Sequence, residues 1–168
     1  MMRPDRRRSL AALAGAALGG APWGPLRASP AAAGETVQWP QVLLLDGSAW
    51  GAAQTEGKAV VAVFWSISCA FCRGHNAHME RLRRAAAGLP LELISIAHEN
   101  DASAVRASMA RHGWNFAVTL DYPPMAAALS RRRLTPLTVT VDRRGRLKQV
   151  IPGEMSADDV LELRQLAT

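Results

Sequence analysis

Cys69 and Cys72 are the only cysteines in this chain of 168 residues, and they are spaced C-x-x-C. Thiols at that spacing can close a disulfide across one helical turn. Such a pair passes two electrons to or from another disulfide through a mixed-disulfide intermediate. The residues around them set the chemistry. Upstream, residues 59–65 (AVVAVFW) form an unbroken apolar run of strand length, rich in β-branched and aromatic side chains. Downstream, Cys72, Met79, Leu82 and Ala86 recur on one helical face. The cysteines therefore sit where a buried strand hands over to a helix. The free N–H groups and dipole of a helix N-terminus stabilise a thiolate, so Cys69 is expected to attack a client disulfide. Cys72, one turn further in and on the buried face, is expected to resolve the mixed disulfide.

Two histidines follow the same helix. Cys69, Cys72, His75 and His78 read C-x2-C-x2-H-x2-H, a donor set suited to copper(I) or zinc, so a metal chaperone using the cysteines with His75 is an alternative. Against it, ligands at three-residue steps along one continuous helix rotate away from a common point. His75 also lies on the inward stripe, three residues after Cys72. One reading makes it a buried histidine bonded to backbone. The other makes it the base that takes the Cys72 proton, since an imidazole titrates near neutral pH. The haem-attachment pattern C-x-x-C-H fails, because Arg73 follows Cys72.

The elements that must position these groups alternate. A short strand at 42–45 closes at Asp46-Gly47, and the strand at 59–65 follows the turn at 56–58. A helix spans 69–87 and stops at Gly88-Leu89-Pro90, a strand spans 91–97, and Asp101 caps a helix that Gly113 ends. A strand at 116–120 follows, then a helix from Pro123-Pro124 to about residue 132. Strands at 137–141 and 147–151 flank the hairpin 142–145, and Ser156 opens a last helix. Strand-helix alternation of this kind argues a three-layer α/β fold with a mixed central sheet flanked by helices. Arg131-Arg132-Arg133 is read as a solvated helix end, or as cations that favour the thiolate or an acidic partner.

The formal charge is +6, but residues 1–33 carry five arginines and one aspartate, which leaves little basic excess for the remainder. Nucleic-acid binding loses its main support. The same segment has the layout of an export signal. Arg3, Arg6, Arg7 and Arg8 precede the apolar stretch 10–21, which is too short for a span of about 20 residues, and Ala31-Ala32-Ala33 precedes Gly34. Arg7-Arg8-Ser9-Leu10-Ala11 fits a twin-arginine motif, and an ordinary secretory signal fits as well. Residues 1–33 are thus expected to be a cleaved signal peptide and 34–168 the folded domain. Export places the domain in an oxidising compartment, where two cysteines without a disulfide scaffold favour a catalytic pair.

Two stretches resemble one family. Residues 58–82 (KAVVAVFWSISCAFCRGHNAHMERL) are similar to the active-site segment of the thioredoxin-like TlpA/ResA group of exported thiol-disulfide oxidoreductases. Residues 134–146 (LTPLTVTVDRRGR) resemble its cis-proline loop, strand and Asp-x-x-Gly hairpin. The resemblance implies a thioredoxin-like fold with a short N-terminal strand extension, and a periplasmic enzyme, a monomer, that exchanges disulfides with protein clients. It implies no cofactor beyond the Cys69–Cys72 disulfide, and a membrane electron donor or acceptor as redox partner. Cytochrome c maturation and oxidase assembly are roles found in the family. Pro136, in a cis bond, would leave the Thr135 backbone free for a bound client strand, with Trp65 and Phe71 as further client contacts. The chain departs from the family pattern at Ser68, where many members have Trp, and at Ala70-Phe71, without the frequent proline. It departs again at Ala77, in place of a proline, and at His75, where many members have Glu.

Overall fold

A computed structural model describes residues 29–168. The core is a five-stranded mixed sheet. Its strands are β3 (Ala59–Trp65), β4 (Leu91–Ala97), β5 (Ala117–Thr119), β6 (Leu137–Val141) and β7 (Leu147–Pro152), in spatial order β5-β4-β3-β6-β7. β3, β4 and β5 are parallel, while β6 runs antiparallel to both β3 and β7. The central strand β3 is buried along its whole length. Its odd residues, Val61, Val63 and Trp65, face one cluster, and its even residues, Val60, Ala62 and Phe64, face another. A strand covered on both faces has no polar alternation, which explains the continuous apolar run.

Helices fill the two outer layers. α2 (Ala70–Ala85), α3 (Ala102–His112) and α5 (Ala157–Glu162) cover the odd face through Cys72, Met79, Leu82, Val105 and Val160. Fully burying a Met or Leu of this kind contributes about 1.5–3 kcal/mol. α4 (Tyr122–Leu129) covers the even face with Met125 and Leu129. Asp101 caps α3 by accepting from the Ser103 and Ala104 N–H groups. Gly113 closes it at φ 68°, a left-handed position that glycine takes without a Cβ penalty. Ser156 caps α5 through the Asp159 N–H, with Asp158 and Asp159 in the first turn. α5 continues into a 3-10 turn, Leu163–Ala167.

Three expectations are revised. The first strand is only β1 (Val42–Leu43), and it pairs with an unforeseen β2 (Ala49–Trp50), followed by a single turn, α1 (Ala52–Thr55). The cause is the 46–48 turn: Asp46 Oδ1 accepts from both the N–H and hydroxyl of Ser48, and the Leu44 N–H returns to the Ser48 carbonyl. Second, α4 stops at Leu129, three residues early. Ser130 is extended, and its hydroxyl accepts from the Arg132 N–H, a local bond that competes with the helix. Arg131, Arg132 and Arg133 thus lie on the exposed connection to Thr135, not on a helix end. Third, α2 ends at Ala85 rather than residue 87.

The leader read over residues 1–33 lies outside the described residues, apart from 29–33. Residues 34–37 run beside the β6–β7 hairpin, joined by bonds from the Gly34 N–H to the Leu147 carbonyl and from the Leu147 N–H to the Glu35 carbonyl. No helix among the described residues is long and apolar enough to cross a membrane.

Candidate active site

The carboxyl end of β3 delivers the chain to the site. After Trp65, the turn 66–68 is held by the Ile67 N–H, which donates to Glu99 Oε1 at 2.7 Å, and by a 3.2 Å contact between the Ser66 and Ser68 hydroxyls. Cys69 is then the N-cap of α2, and its sulfur accepts from the Cys72 N–H at 3.2 Å. An N–H aimed at that sulfur, at the positive end of a 16-residue helix, stabilises a thiolate there. The two cysteines form a disulfide with a Cα–Cα separation of 5.3 Å. Cys72 is 1% exposed, whereas Cys69 is only partly buried.

The 135–136 loop meets this disulfide from β6. The Thr135–Pro136 peptide bond is cis. The Thr135 carbonyl oxygen lies 3.5 Å from Cys69 Sγ, a packing contact in the disulfide form, where the sulfur has no proton to donate. Pro136 is buried, and its carbonyl accepts from the Gly153 N–H. Neither the N–H nor the carbonyl of Thr135 has a backbone partner among the described residues. Phe71, between the cysteines, is 67% exposed; Ile67 and Leu134 are also exposed, so apolar side chains border the disulfide on both loops.

Two expected residues are held in the core. Trp65 packs as a core residue beneath the site. It is 1% exposed, its indole N–H donates to Ser95 Oγ, and its ring packs edge-on against Trp114. His75 is fully buried, and neither ring nitrogen is available to a thiol. Nδ1 accepts from the Met155 N–H at 3.2 Å, which places the proton on Nε2, and Nε2 donates to Thr138 Oγ1 at 2.9 Å. Burial first, and the neighbouring His78 second, bring its pKa down to about 4. A neutral imidazole with both nitrogens bonded ties α2 to β6 and to the β7–α5 connection, and cannot accept a proton from Cys72 without breaking the Met155 bond. His78 is likewise turned to Met155, through its carbonyl. Among the described residues no three of His, Cys, Asp and Glu are placed to hold a metal ion.

Sequence reasoning missed the residues that brace the site from afar. Glu80 is 5% exposed and accepts from Arg83, Arg84 and the Asn115 N–H, which locks α2 to the loop after α3. Burial pushes its carboxyl up, but those donors together hold it below its usual value. The i, i+3 and i, i+4 spacing to two arginines was the available signal. Ser95 and Thr138, which hold Trp65 and His75, had none beyond a polar residue in a buried strand.

The family model described as Redoxin matches residues 32–166. The chain belongs to the Redoxin family. The thiol-disulfide oxidoreductase ResA of Halalkalibacterium halodurans is 26% identical over 122 residues, which are 73% of this chain and 69% of that protein. The fold is shared with a thioredoxin-family thiol:disulfide interchange protein from Chlorobium tepidum TLS, with TM-score 0.73, 21% identity, and coverage of 81% of this chain and 97% of that one. It is also shared with a secreted disulfide oxidoreductase of Mycobacterium tuberculosis, with TM-score 0.64, 20% identity, and coverage of 75% and 94%. The fold is therefore thioredoxin-like, as the sequence led us to expect, and the chain is a TlpA/ResA-like thiol-disulfide oxidoreductase with Cys69 and Cys72 as its redox pair.

Proposed function

We propose that the protein exchanges disulfides with exported protein clients, with Cys69 as the attacking sulfur and Cys72 as the resolving one. The observation that carries this is the difference in burial at one disulfide: Cys69 partly open at a helix N-terminus, Cys72 closed beneath it. In the reduced enzyme the Cys69 thiolate attacks a client disulfide. A Cys69–client disulfide forms, the client S–S bond breaks, and the second client sulfur leaves as a thiolate that takes up a proton. The Cys72 thiolate then attacks Cys69 Sγ, closes the internal disulfide and releases the first client sulfur, so two electrons pass to the client. Run in reverse, the same steps oxidise a client dithiol. The unpaired Thr135 backbone is suited to an extended client strand laid across Cys69, and exposed Phe71, Ile67 and Leu134 supply apolar contact. A membrane donor or acceptor resets the pair, and the enzyme works as a monomer.

His75 serves as a positioning residue in this scheme, holding Thr138, two residues beyond Pro136, against α2. The periplasm is the proposed location, supported by the signal-like layout of residues 1–33. Cleavage after Ala33 would keep the bonds that residues 34–37 make to the β6–β7 hairpin. Reduction of insulin disulfides by the wild type, lost in Cys69→Ser, tests the activity; an equal rate in Cys69→Ser overturns it. N-terminal sequencing of the exported protein tests the location, and a first residue well before position 30 refutes the proposed cleavage.

A further inference from the structure

On the α3 side of the disulfide lies a cavity of about 380 Å³. Its wall is built from Cys69 and Arg73 in the first turn of α2, Arg111 and His112 in the last turn of α3, and Trp65 and Trp114. Residues 134–136 take no part in it, so it is separate from the Thr135 edge. Resting on the oxidoreductase reading above, we propose that this cavity is a subsite for a carboxylate, which selects client cysteines flanked by an acidic residue.

The charges carry this first. Arg73 sits in the opening turn of α2, where the helix dipole disfavours a cation, and no acidic residue occupies that turn. Neither Arg73 nor Arg111 has an ion pair or side-chain hydrogen bond among the described residues. Arg83, Arg84 and Arg146 are paired with carboxylates, and Arg81 and Arg164 are as unpaired among the described residues as these two, but only Arg73 and Arg111 line the cavity beside Cys69. Glu99, at the entry loop, is engaged by the Ile67 N–H. Two guanidinium groups thus share a concave site with the attacking sulfur and have no carboxylate of their own. A guanidinium fork matches a carboxylate in two parallel hydrogen bonds, which favours that anion over a diffuse one.

The floor is rigid, as a recognition site needs. His112 Nδ1 donates to the Ser108 carbonyl at 2.8 Å, and its ring stacks on Trp114 at 4.6 Å. Trp114 stacks in turn on Phe116 and meets Trp65 edge-on. The occupant is part of a protein client rather than a free small thiol, because Ile67 in the cavity wall and Phe71, two residues past Cys69, are both exposed apolar side chains that need a macromolecular surface to cover them.

The test uses the reduced full-length protein and two peptide disulfides that differ only in an Asp or a Lys next to the cysteine. Rates of mixed-disulfide formation are followed by tryptophan fluorescence. The Asp:Lys rate ratio cancels changes in thiolate reactivity. We expect a ratio well above one, falling about fivefold in Arg111→Gln and in Arg73→Gln at low ionic strength. It should fade near 1 M salt, where the screening length is about 3 Å. Equal rates for the two peptides, or an unchanged ratio in both variants, overturns the subsite while leaving the oxidoreductase reading intact. No reaction with either peptide overturns the oxidoreductase reading itself. Oxidised glutathione reacting as fast as the Asp peptide would assign the cavity to small carboxylated disulfides and refute the protein client.

Discussion

Acidification from about pH 7 to about pH 4 is expected to cost the oxidised protein about 3 kcal/mol of stability through His75 alone. The folded chain holds His75 at about 4 against an ordinary 6.5, by burial and by the nearby His78. Between those values the unfolded chain binds a proton that the folded chain refuses, so stability falls as the pH falls from about 6.5 to about 4 and levels off below. The carboxyls of Glu80 and Asp142 lie below their usual values in the fold. Their contribution is lost as the pH falls through the ordinary carboxylate range, so between about pH 6.5 and about pH 5 the loss belongs to His75. The assay is urea denaturation by tryptophan fluorescence at a series of pH values, for the wild type and for His75→Gln. Glutamine keeps a donor for Thr138 but does not titrate. The wild type should lose stability from about pH 6.5 downward, while His75→Gln should stay nearly flat to about pH 5, below which both fall as the carboxyls protonate. Parallel curves for the two proteins would refute the assignment of His75 as a buried neutral tether.

Two further changes separate surface from frame. Phe71→Ala removes a side chain that is 67% exposed, so stability should move by no more than about 0.5 kcal/mol. Turnover of a protein client should fall about tenfold, as at an interface anchor, with little change toward a small disulfide; equal losses on both substrates would remove Phe71 from client docking. Glu80→Ala leaves the Asn115 N–H unpaired beside α2 and should lower the urea midpoint by an amount worth about 1–3 kcal/mol at unchanged slope. A midpoint within error of wild type would show that this bond is replaced by solvent.

The parts of the fold legible in the sequence were those fixed by local pattern. The run 59–65 announced a strand covered on both faces, and Asp101 and Gly113 marked both ends of α3 through caps that act within a few residues. The α4 terminus was misjudged because three arginines suit a helix end, while one serine hydroxyl bonding two residues ahead was enough to stop it. β2 escaped notice because a strand of two residues, Ala49–Trp50, has no period to detect. At the site, Cys69, Cys72 and the Thr135-Pro136 loop were readable as motifs. For His75 the sequence offered both a buried histidine bonded to backbone and a base for Cys72, because its partners Thr138 and Met155 lie 63 and 80 residues away in sequence. The cavity beside Cys69 was hidden for the same reason: Arg111 and His112 reach it from the far end of α3.

The division of labour between the two sulfurs is tested most directly by trapping. Cys72→Ser and Cys69→Ser are each produced as the full chain from residue 1, and mixed disulfides are collected under conditions that block free thiols. Cys72→Ser should accumulate client proteins bound through Cys69, released by reductant, because nothing resolves the intermediate. Cys69→Ser should hold none, since Cys72 is only 1% exposed beneath the helix N-terminus. Equal trapping by both variants, or trapping by Cys69→Ser alone, would contradict the assignment of Cys69 as the attacking sulfur.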